Sequence, residues 1–395
     1  MTASFLACGL MSGTSRDGID VAFVEIAGKF PDNRVRLVHA ETVRYPAWLG
    51  ARLREDCRHF SGREVAALDF AVGEAFGRAA VKAAEHAGLS PRDVAVVGSH
   101  GQTLLHMPGG ARLGAKAVRA TLQVGNGAVI ARLAGIPVVA DFRSADIAVG
   151  GEGAPLVPVY DYVTLRSRER ARVALNIGGI ANLTAIPRGG RPDQMVCFDT
   201  GPGNCMLDVA TRILTRGRRA FDRDGALARA GTMDRYRMKR LLEHPYYKRR
   251  PPKSTGWEEF GEDYTMRLLL KMVRGRRREA GMIMRTFTET VAESIAAAIG
   301  DFVAPVMCPD DVIVTGGGSK NDFLMTCLRR RLFKRFPMIV VERGEAFGID
   351  SDAKEACAFA YLAYLHLKGV PGNLASQAAG LPPAILGALY PQKRN

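Results

Sequence analysis

The chain has 395 residues, of which 47% are hydrophobic and 24% charged, and its formal net charge is +15 at pH 7. This composition is typical of a globular protein, excludes a disordered or fibrous chain, and at this length predicts two or three domains. No apolar run reaches the roughly 18 residues that a membrane-spanning helix requires, so no membrane partner is expected.

The first half of the chain predicts an α/β domain. Apolar segments on both sides of a turn of small residues predict a β-hairpin, and an alanine-rich segment with apolar residues at helical spacing predicts a long helix. The predicted elements are strands at 6–11, 19–26, 94–98 and 136–140, an extended segment at 117–124, and helices at 63–86 and 127–134.

The second half repeats this opening pattern and again predicts an α/β domain. Its predicted elements are strands at 172–177, 180–186, 195–198, 312–314 and 339–341, and helices from Cys205, at 286–303, from Asp322 and at 352–367. We expect one domain at 1–168 and a second at 169–395, with the helix at about 352–368 packing back on the first domain.

Three glycine-rich turns, at 12–18, 199–204 and 315–321, each follow an apolar strand. Small residues let backbone N–H groups approach anionic oxygens, and the helices that begin after the second and third turns add the positive ends of their dipoles. One such turn is weak evidence, but three together predict a nucleotide held between two related halves. The chain contains neither the P-loop pattern nor the glycine pattern of a Rossmann unit, so those two nucleotide-binding classes are excluded.

Asp199 is the first candidate for catalysis, because it ends a predicted buried strand and opens a glycine-rich turn. A carboxylate there can act as the general base of a phosphoryl transfer, although an aspartate that caps a turn gives the same pattern. Asp17 is expected to orient Mg²⁺ through water beside a triphosphate, with an ordinary Asp-Gly turn as the alternative. Asp20 can equally face solvent. No spacing of His, Asp and Cys predicts a metal bound by protein alone.

A polar, glycine-rich segment follows the strand at 136–140 and is expected to form the floor of a substrate site. A structural network of arginine and aspartate side chains is the alternative interpretation. The segment contains Asp141, Arg143, Asp146 and the run GGEGAPL at 150–156, and His100, Gln102 and His106 are further polar residues that can reach a sugar.

The positive charge is concentrated in one stretch, because residues 216–278 contain 19 Lys and Arg but only 8 Asp and Glu. This makes nucleic-acid binding a hypothesis. However, no zinc finger or aromatic-rich RNA-binding pattern accompanies the charge, so a solvated basic face is favoured and no nucleic-acid partner is expected. The seven cysteines are scattered and lack a Cys-x-x-Cys pair, which is typical of reduced thiols in a cytoplasmic protein.

Ten collinear motifs resemble those of the anhydro-N-acetylmuramic acid kinase family over nearly the whole chain. They are GLMSGTSRDGIDVA (9–22), GSHGQTLLHMP (98–108), TLQVGNGAVIA (121–131), VVADFRSADIAVGGEGAPLVP (138–158), LNIGGIANLT (175–184), FDTGPGNCMLD (198–208), PPKSTGWEEFG (251–261), VTGGGSKN (314–321), SDAKEACAFAYLA (351–363) and PGNLAS (371–376).

The resemblance implies an α/β protein with two related domains of the actin-like ATPase (ribonuclease H-like) fold and ATP in the cleft between them. It implies a kinase that opens the 1,6-anhydro bridge of 1,6-anhydro-N-acetylmuramic acid with water and phosphorylates O6 from ATP, in recycling of cell-wall sugar. The family also suggests a homodimer. The alternatives are a kinase of another 1,6-anhydrosugar, such as levoglucosan, and a catalytically silent protein that binds sugar or ATP.

The resemblance also assigns roles to residues. Asp199 resembles the catalytic base that takes a proton from the attacking water. ATP and Mg²⁺ are the implied cofactors, and the metal is held by ATP and not directly by protein. The implied ATP contacts are Gly13, Thr14, Ser15, Arg16, Asp17, Gly18, Ile19, Asp20, Gly201, Gly203, Asn204, Gly316, Gly317 and Gly318, and the implied sugar contacts are Asn126, Arg143, Glu152 and Glu355.

Four departures from the family's pattern concern the sugar side of the site. Asn126 stands where Asp or Glu is common, Glu152 where Gln is frequent, and Trp257 where Arg is usual after KSTG, while residues 109–120 look like a small insertion. A neutral amide at Asn126 is expected to weaken or redirect recognition of sugar hydroxyls. None of these departures involves Asp199 or the ATP motifs.

Overall fold

The computed structural model describes residues 4–13, 16–272 and 279–392. The described residues fall into two compact units, the first drawn from Met1–Thr164 and Ala353–Asn395 and the second from Leu165–Asp352. The predicted boundary after residue 168 lies close to this division. The predicted second domain, 169–395, differs at its end, because the whole segment from Ala353 onward belongs to the first unit and not only its helix.

The strands, numbered in chain order, alternate with helices in both units. They are β1 (Phe5–Ser12), β2 (Gly18–Ala27), β3 (Arg34–Arg44), β4 (Val96–Leu113), β5 (Lys116–Val124), β6 (Val138–Ala140), β7 (Arg172–Ile177), β8 (Ile180–Ile186), β9 (Val196–Pro202), β10 (Asp311–Thr315), β11 (Val340–Arg343) and β12 (Ala388–Tyr390).

The helices are α1 (Ala47–Arg54), α2 (Gly62–His86), α3 (Gly127–Ala134), α4 (Ser144–Ala148), α5 (Pro158–Leu165), α6 (Asn204–Leu214), α7 (Ala226–Arg229), α8 (Arg235–Leu242), α9 (Trp257–Phe260), α10 (Glu262–Met272), α11 (Glu279–Ala298), α12 (Asp322–Arg335), α13 (Lys354–Leu367) and α14 (Leu374–Ala378). A π-helical turn, Ile299–Val303, continues α11. No helix within the described ranges is long and apolar enough to cross a membrane.

The two sheets share one strand order. The first runs β12-β6-β4-β1-β2-β3, with β5 paired to β4, and the second runs β11-β10-β7-β8-β9. In each sheet the first three strands of the unit are antiparallel neighbours, and the first strand pairs in parallel with the next long strand. A further parallel strand lies beyond it. This is the strand order of the ribonuclease H-like domain of actin-like ATPases, and it confirms the predicted two-domain α/β fold class.

Local sequence explains the long helix α2. Ser61 and Glu64 form a capping box, in which the Ser61 hydroxyl accepts from the Glu64 N–H and the Glu64 carboxylate accepts from the Ser61 N–H. Leu68, Val72 and Phe76 follow at helical spacing and are buried in the core of the first unit. The cap therefore sets where the helix begins, and the apolar face holds it on the sheet.

Several elements differ from the prediction. β4 does not end at residue 98 but continues to Leu113, so the polar run at 99–103 lies in a strand and the apparent insertion at 109–120 forms the tip of the β4–β5 hairpin. Strand β3 was not predicted; it is an edge strand in which half-buried residues alternate with exposed ones, including Arg34 and Arg36. Edge strands bury little, so their apolar signal is weak.

Helix α13 lies unusually close to the first sheet. A Cβ on Gly9 of β1 would meet the Ala356 carbonyl oxygen at 1.8 Å, and a Cβ on Gly98 of β4 would meet the Phe359 carbonyl oxygen at 2.0 Å. Glycine is therefore required at both positions for the helix backbone to rest on the strands. This contact, together with the pairing of β12 with β6, is why the C-terminal segment belongs to the first unit.

We predict that Gly9→Ala lowers the free energy of unfolding by about 1–3 kcal/mol or more, because the helix has to move away from the sheet. Gly62→Ala is a matched control in the same unit, since a Cβ on Gly62 meets nothing within 4 Å. Urea denaturation of both variants measures the difference. Equal stability of the two would mean that the close approach of α13 is not needed.

Candidate active site

The turn between β1 and β2 is tethered by polar side chains of the first unit. The Ser12 hydroxyl lies 2.8 Å from the Gly18 carbonyl oxygen and 2.7 Å from Gln102 Oε1, while Gln102 Nε2 donates to the Gly13 carbonyl at 3.4 Å. A Cβ on Gly13 would meet nothing within 4 Å, so the backbone there is open. Thr14 and Ser15, predicted ATP contacts, lie outside the described residues.

The other residues predicted in this turn have different surroundings. Arg16 has a positive φ of 54°, and its guanidinium donates to the Leu53 carbonyl. Asp17 is exposed, whereas Ile19 is buried in the core and can present only its backbone to a ligand. Asp20 does not simply face solvent, because its carboxylate accepts from the Thr42 hydroxyl at 2.6 Å.

Gly18 has a packing role in this turn. A Cβ there would lie 2.6 Å from Thr42 Cγ2 on the neighbouring strand β3. The glycine is thus explained by its contact with β3, in addition to any approach of phosphate to the turn.

Arg143, which is half-buried, forms a hydrogen-bonded pair with the buried His100. Arg143 donates to His100 Nε2 from Nε at 3.0 Å and from Nη2 at 2.8 Å, and its Nη1 donates to the Gly153 carbonyl at 2.6 Å. His100 Nδ1 lies 2.9 Å from the Gly101 carbonyl, so Nδ1 carries the proton and the ring is neutral. Burial, followed by the charge of Arg143, lowers the pKa of His100 well below its usual value.

The pair fixes the direction of the Arg143 guanidinium. Burial lowers the pKa of Arg143 to about 10, against the opposing effects of the Glu355 and Asp146 carboxylates, so the guanidinium stays charged at neutral pH. The predicted alternative was a structural arginine–aspartate network; here Arg143 bonds to His100 and Gly153, and Asp146 acts on it through its charge. Asp146 is buried and accepts from the Gly153 N–H at 2.8 Å.

Asp146 also explains one glycine of this loop, because a Cβ on Gly151 would lie 2.3 Å from Asp146 Oδ2. Glu152 is exposed between the buried Gly151 and Gly153, and its charge acts to raise the pKa of His106. Burial and the charge of Arg143 outweigh that effect and lower the pKa of His106. Glu152 and His106 therefore lie near one another in the first unit.

Glu355, at the start of α13, lies near Asp20 and Arg143. Its side chain can be reached by solvent, yet the surrounding protein desolvates it, and this raises its pKa. The charge of Asp20 acts in the same direction, while Arg143 and Lys354 oppose it. The first unit thus brings together two of the predicted sugar contacts, Arg143 and Glu355, with Asp20 of the predicted ATP turn.

Asn126 is already occupied at both ends of its amide. Its Oδ1 accepts from the N–H groups of Ala128 and Val129 at 3.2 and 3.3 Å and caps α3. Its Nδ2 donates to Asp69 Oδ2 at 2.8 Å, and Asp69 Oδ1 accepts from the Gly125 N–H. These bonds give Asn126 a structural explanation that the sequence analysis did not consider.

Three hydrogen bonds to residues of the second unit hold Asp199 in place. One carboxylate oxygen, Oδ2, accepts from the Thr255 N–H at 2.9 Å. The backbone N–H donates to the Lys253 carbonyl at 3.1 Å, and the backbone carbonyl accepts from the Tyr246 hydroxyl at 2.7 Å. Asp199 is half-buried and lies within β9, which continues to Pro202, so the prediction that it ends its strand was wrong. The glycine-rich segment extends the strand because it still pairs with β8.

Lys253 supplies a positive charge near Asp199. Its Nζ lies 4.8 Å from the ring centroid of Tyr246 and 4.6 Å from that of Phe302, a favourable cation–π geometry. Burial, then the charge of Arg249, lowers the pKa of Lys253 to about 8, while the charges of Asp301 and Asp199 oppose the shift. The ammonium is therefore mostly present at neutral pH and titrates in the mildly alkaline range.

The glycine turn at 201–204 is closed by its own unit. The N–H groups of Gly203, Asn204 and Cys205 donate to the carbonyls of Gly178 and Gly179 at 2.8–3.0 Å. The first N–H groups of α6 are therefore already paired with backbone carbonyls of their own unit. A Cβ on Gly203 would lie 2.4 Å from the Gly178 carbonyl oxygen, which explains that glycine by close backbone contact.

The turn at Gly316–Gly318 lies against the glycine turn at 201–204. A Cβ on Gly317 would lie 3.4 Å from Asn204 Nδ2, and Gly317 is exposed. Gly316 has φ +81°, and a Cβ there would lie 2.4 Å from Asn176 Oδ1, so glycine is required by both conformation and space. The second unit thus brings the two predicted turns together.

Trp257, the residue that departs from the family's pattern, covers the β7–β8 turn. A Cβ on Gly179 would lie 3.2 Å from its Nε1, and the ring is partly exposed. The turn at Gly178–Gly179 was not among the predicted site residues. The duplicated strand order could have found it, since it occupies in the second sheet the place that the β1–β2 turn occupies in the first.

Two further side chains were missed. Lys253 lies in the PPKSTG motif, but no role was predicted for it from the sequence. Asp208 on α6 is half-buried, and burial raises its pKa to about 6 against the effect of Arg212. Helical spacing from Asn204, one turn earlier, was the available signal for Asp208. The part of the chain that is described contains no cluster of three His, Cys, Asp or Glu that could hold a metal ion.

The sequence matches one protein family over nearly its whole length. The family model for anhydro-N-acetylmuramic acid kinase matches residues 5–392. The chain belongs to the anhydro-N-acetylmuramic acid kinase family.

Named members of the anhydro-N-acetylmuramic acid kinase family align over almost their entire length. The relative from Caldanaerobacter subterraneus subsp. tengcongensis is 38% identical over 97% of this chain and 96% of its own. The relative from Salinibacter ruber is 42% identical over 96% and 95%, and that from Gloeobacter violaceus 41% over 98% of each. A solved ROK family glucokinase from Streptomyces griseus is 16% identical, with a TM-score of 0.39 over 91% of this chain and 99% of its own. The assignment of the fold rests on the strand order and not on that score.

We predict that Asn126→Asp destabilises this member of the family by about 1–3 kcal/mol near neutral pH, because it places two carboxylates in hydrogen-bonding contact. The pair raises the folded-state pKa of one carboxyl group, so the loss should shrink as pH falls toward about 4 and the groups take up protons. Asn126→Ser, which keeps a capping oxygen without a charge, is the control. Unchanged stability with an altered KM for the sugar would show that the side chain faces substrate.

We predict that Lys253→Met raises the free energy of unfolding at about pH 7 more than at about pH 10. The folded-state pKa of Lys253 is lowered, so the unfolded chain binds more protons between the two pKa values and the penalty of the buried charge disappears as pH rises. The exposed Lys248→Met provides the control for charge and length. A difference between Lys253→Met and the parent protein that does not change with pH would contradict the lowered pKa.

Proposed function

We propose that this chain is an ATP-dependent kinase that opens the 1,6-anhydro bridge of 1,6-anhydro-N-acetylmuramic acid with water and phosphorylates O6. The products are N-acetylmuramic acid 6-phosphate and ADP. Membership of the family supports the reaction class, and the fixed carboxylate of Asp199 is the single observation that supports its mechanism most directly.

The surroundings of Asp199 suit a general base. The Thr255 N–H fixes one carboxylate oxygen. The backbone is fixed at both groups, since the Asp199 N–H donates to the Lys253 carbonyl and the Asp199 carbonyl accepts from the Tyr246 hydroxyl. A base held this firmly loses little entropy on reaching its reactive geometry, and correct positioning alone can supply several kcal/mol of a barrier. The two glycine turns that meet at Asn204 and Gly317 supply a polar backbone surface in the same unit.

In the proposed reaction, opening of the anhydro bridge frees the oxygen that is then phosphorylated. Asp199 takes one proton from a water molecule whose oxygen bonds to C1, and the C1–O6 bond breaks. O6 then forms a bond to the γ-phosphorus of ATP as the bond to ADP breaks, and the proton on Asp199 is released to solvent. The transfer needs no oxidant or reductant, and positioning with electrostatic stabilisation accounts for most of the acceleration of such phosphoryl transfers.

In the first unit we assign Arg143 and Glu355 to the sugar. The neutral His100 ring and the Gly153 carbonyl orient the guanidinium of Arg143, whose positive charge suits the lactyl carboxylate of the muramic sugar. Levoglucosan carries no such carboxylate. The raised pKa of Glu355 leaves it better able to hold a proton than an ordinary glutamate, which suits hydrogen bonding to hydroxyl groups. Asn126 and Glu152 keep only a secondary role in this assignment.

The residues assigned to ATP are those of the glycine turns. In the first unit they are the backbone of Gly13 and Gly18, the residues Thr14, Ser15, Arg16, Asp17 and Asp20, and Ile19 through its backbone alone. In the second unit they are Gly201, Gly203, Asn204 and Gly316 to Gly318. The neighbourhood of Gly317 and Asn204 supports the second group, whereas the paired N–H groups of α6 leave the side chain of Asn204 as the better donor there.

The donor set fits Mg²⁺ bound mainly by phosphate. Asp17 is an exposed carboxylate in the turn assigned to phosphate, and a magnesium ion in kinases is commonly held by substrate phosphates, water and one or two carboxylates. When bound, the ion would neutralise charge on the transferring phosphoryl group. Asp17 would orient it through water, and Asp20 is less available because Thr42 binds its carboxylate.

We further propose that the enzyme acts in the cytoplasm as a homodimer. The location rests on the scattered cysteines, which are typical of reduced thiols, and the homodimer on the family resemblance. Light scattering after size-exclusion chromatography tests the second statement. Small-molecule substrates, rather than a nucleic acid, are the partners in this proposal.

We predict that Asp199→Asn lowers turnover by about 10²–10⁴-fold, the usual contribution of a general base, while binding of an ATP analogue is retained. The amide oxygen can still accept from the Thr255 N–H, so the fold should be kept. Asp193→Asn is the matched control. It removes a carboxylate of the same unit that is exposed, since 57% of the Asp193 side chain is accessible to solvent. Turnover close to that of the control would remove Asp199 from the role of base.

The reaction itself is tested with ATP and Mg²⁺ against two sugars, 1,6-anhydro-N-acetylmuramic acid and levoglucosan, in water labelled with ¹⁸O. Mass analysis should show a product from the muramic sugar that has gained one phosphoryl group and one labelled water, with the label at C1. Turnover of levoglucosan alone would favour the kinase of another anhydrosugar. No turnover of either sugar would contradict the proposed activity.

A further inference from the structure

A cavity of about 720 Å³ opens on the second unit beside the start of α8 and between α11 and α12. Its volume is within the range of small-molecule binding sites. Arg330 follows Asp322, the first residue of α12, by eight positions, so at about 1.5 Å per residue it lies roughly 12 Å along the helix from the glycine turn before it. The part of the lining on the second half of α12 therefore lies away from that turn, whereas Arg285 packs against the ring of Phe323 near the start of the helix.

The lining of the cavity is strongly basic, with six cationic side chains and only two carboxylates, Glu289 and Glu293. The excess is four positive charges. Apart from Met233, the lining is charged, and it contains no aromatic ring on which a base or sugar could stack. The cationic residues are Arg235, Arg285, Arg330, Arg331, Lys334 and Arg335.

The two carboxylates are already neutralised from within the cluster. Glu289 is almost fully buried and pairs with Arg285, Arg330 and Arg331, and Glu293 pairs with Arg331 and Arg335. Burial acts to raise the pKa of Glu289, but its hydrogen bonds to Arg330 and Arg331 outweigh this and lower the pKa to about 2.

Arg235 and Lys334 form no ion pair with the described residues, and both are exposed at the cavity. Their positive charges therefore add to the four guanidinium groups that Glu289 and Glu293 only partly neutralise. Holding so many like charges together is unfavourable unless a counter-charge is present.

We propose that this cavity binds a small phosphate-rich anion. Guanidinium groups match phosphate oxygens with paired, charge-assisted hydrogen bonds, and the excess charge suits a ligand with several negative charges. The charged residues that dominate the lining, with no aromatic ring among them, favour recognition of the phosphates themselves over a heterocycle. The phosphates can belong to a free oligophosphate or to a small metabolite that carries two of them. The inference is independent of the sugar that the enzyme phosphorylates.

The test is calorimetric titration of the full chain with inorganic tripolyphosphate and, separately, with fructose 1,6-bisphosphate, each in the presence of a saturating non-hydrolysable ATP analogue. We expect at least one of the two probes to bind at a single site, and this binding to remain when the ATP analogue is present. Tighter binding of tripolyphosphate would point to a free oligophosphate, and tighter binding of the bisphosphate to a phosphorylated metabolite.

Variants then locate the site. The double variant Arg235→Gln/Lys334→Gln removes the two cations that have no carboxylate partner and should weaken binding by about tenfold or more. The double variant Lys239→Gln/Lys248→Gln removes the same charge from exposed positions outside the cavity and should bind as the parent protein does. Equal weakening in both variants, complete competition by the ATP analogue, or no binding at millimolar concentration would each overturn the proposal and leave the arginines as partners of Glu289 and Glu293 only.

Discussion

The contact on which the first unit depends is the approach of α13 to the glycines of β1 and β4. At Gly9 and Gly98 the helix backbone occupies the space of a side chain, so no other residue permits this spacing. The contact fixes Glu355, the residue before Ala356, near Asp20 and Arg143. The neighbouring turn of the helix places Phe359 against His100, with 4.6 Å between ring centroids, and His100 in turn orients Arg143. A single packing constraint thereby aligns several polar side chains.

In the second unit, hydrogen bonds position the polar side chain of Asp199. Asp199 lies on β9, but its carboxylate and both neighbouring backbone groups are held by residues some fifty positions later in the chain. Lys253 adds a charge whose pKa is depressed by burial, and aromatic rings surround its ammonium. The proposed base is thus fixed by a segment that has little regular structure of its own, so its geometry relies on backbone bonds to that segment.

Much of the fold could be predicted from the sequence, since the two hairpins, the long capped helix α2 and the buried strands of both halves have strong apolar periodicity. The edge strand β3 and the outer part of β4 could not be predicted, because they bury little apolar surface. The motif around Asp199 identified the residue but not its partners at Thr255 and Tyr246, which are brought to it only by tertiary packing. Asn126 was assigned to substrate because its departure from the family's pattern was visible, whereas its bond to Asp69 on another helix was not. Glycines also signal more than one cause, and at Gly18, Gly203 and Gly318 close packing explains the residue.

The return of α13 to the first sheet also sets an order in which the chain can fold during synthesis. The second unit is one continuous segment, Leu165–Asp352, whereas the first requires both Met1–Thr164 and Ala353–Asn395. Until the residues from Ala353 onward have been added, the sheet of the first unit lacks β12 and exposes the surface that α13 will cover. The inserted unit can therefore fold before the first unit, whose two segments it separates, is completed.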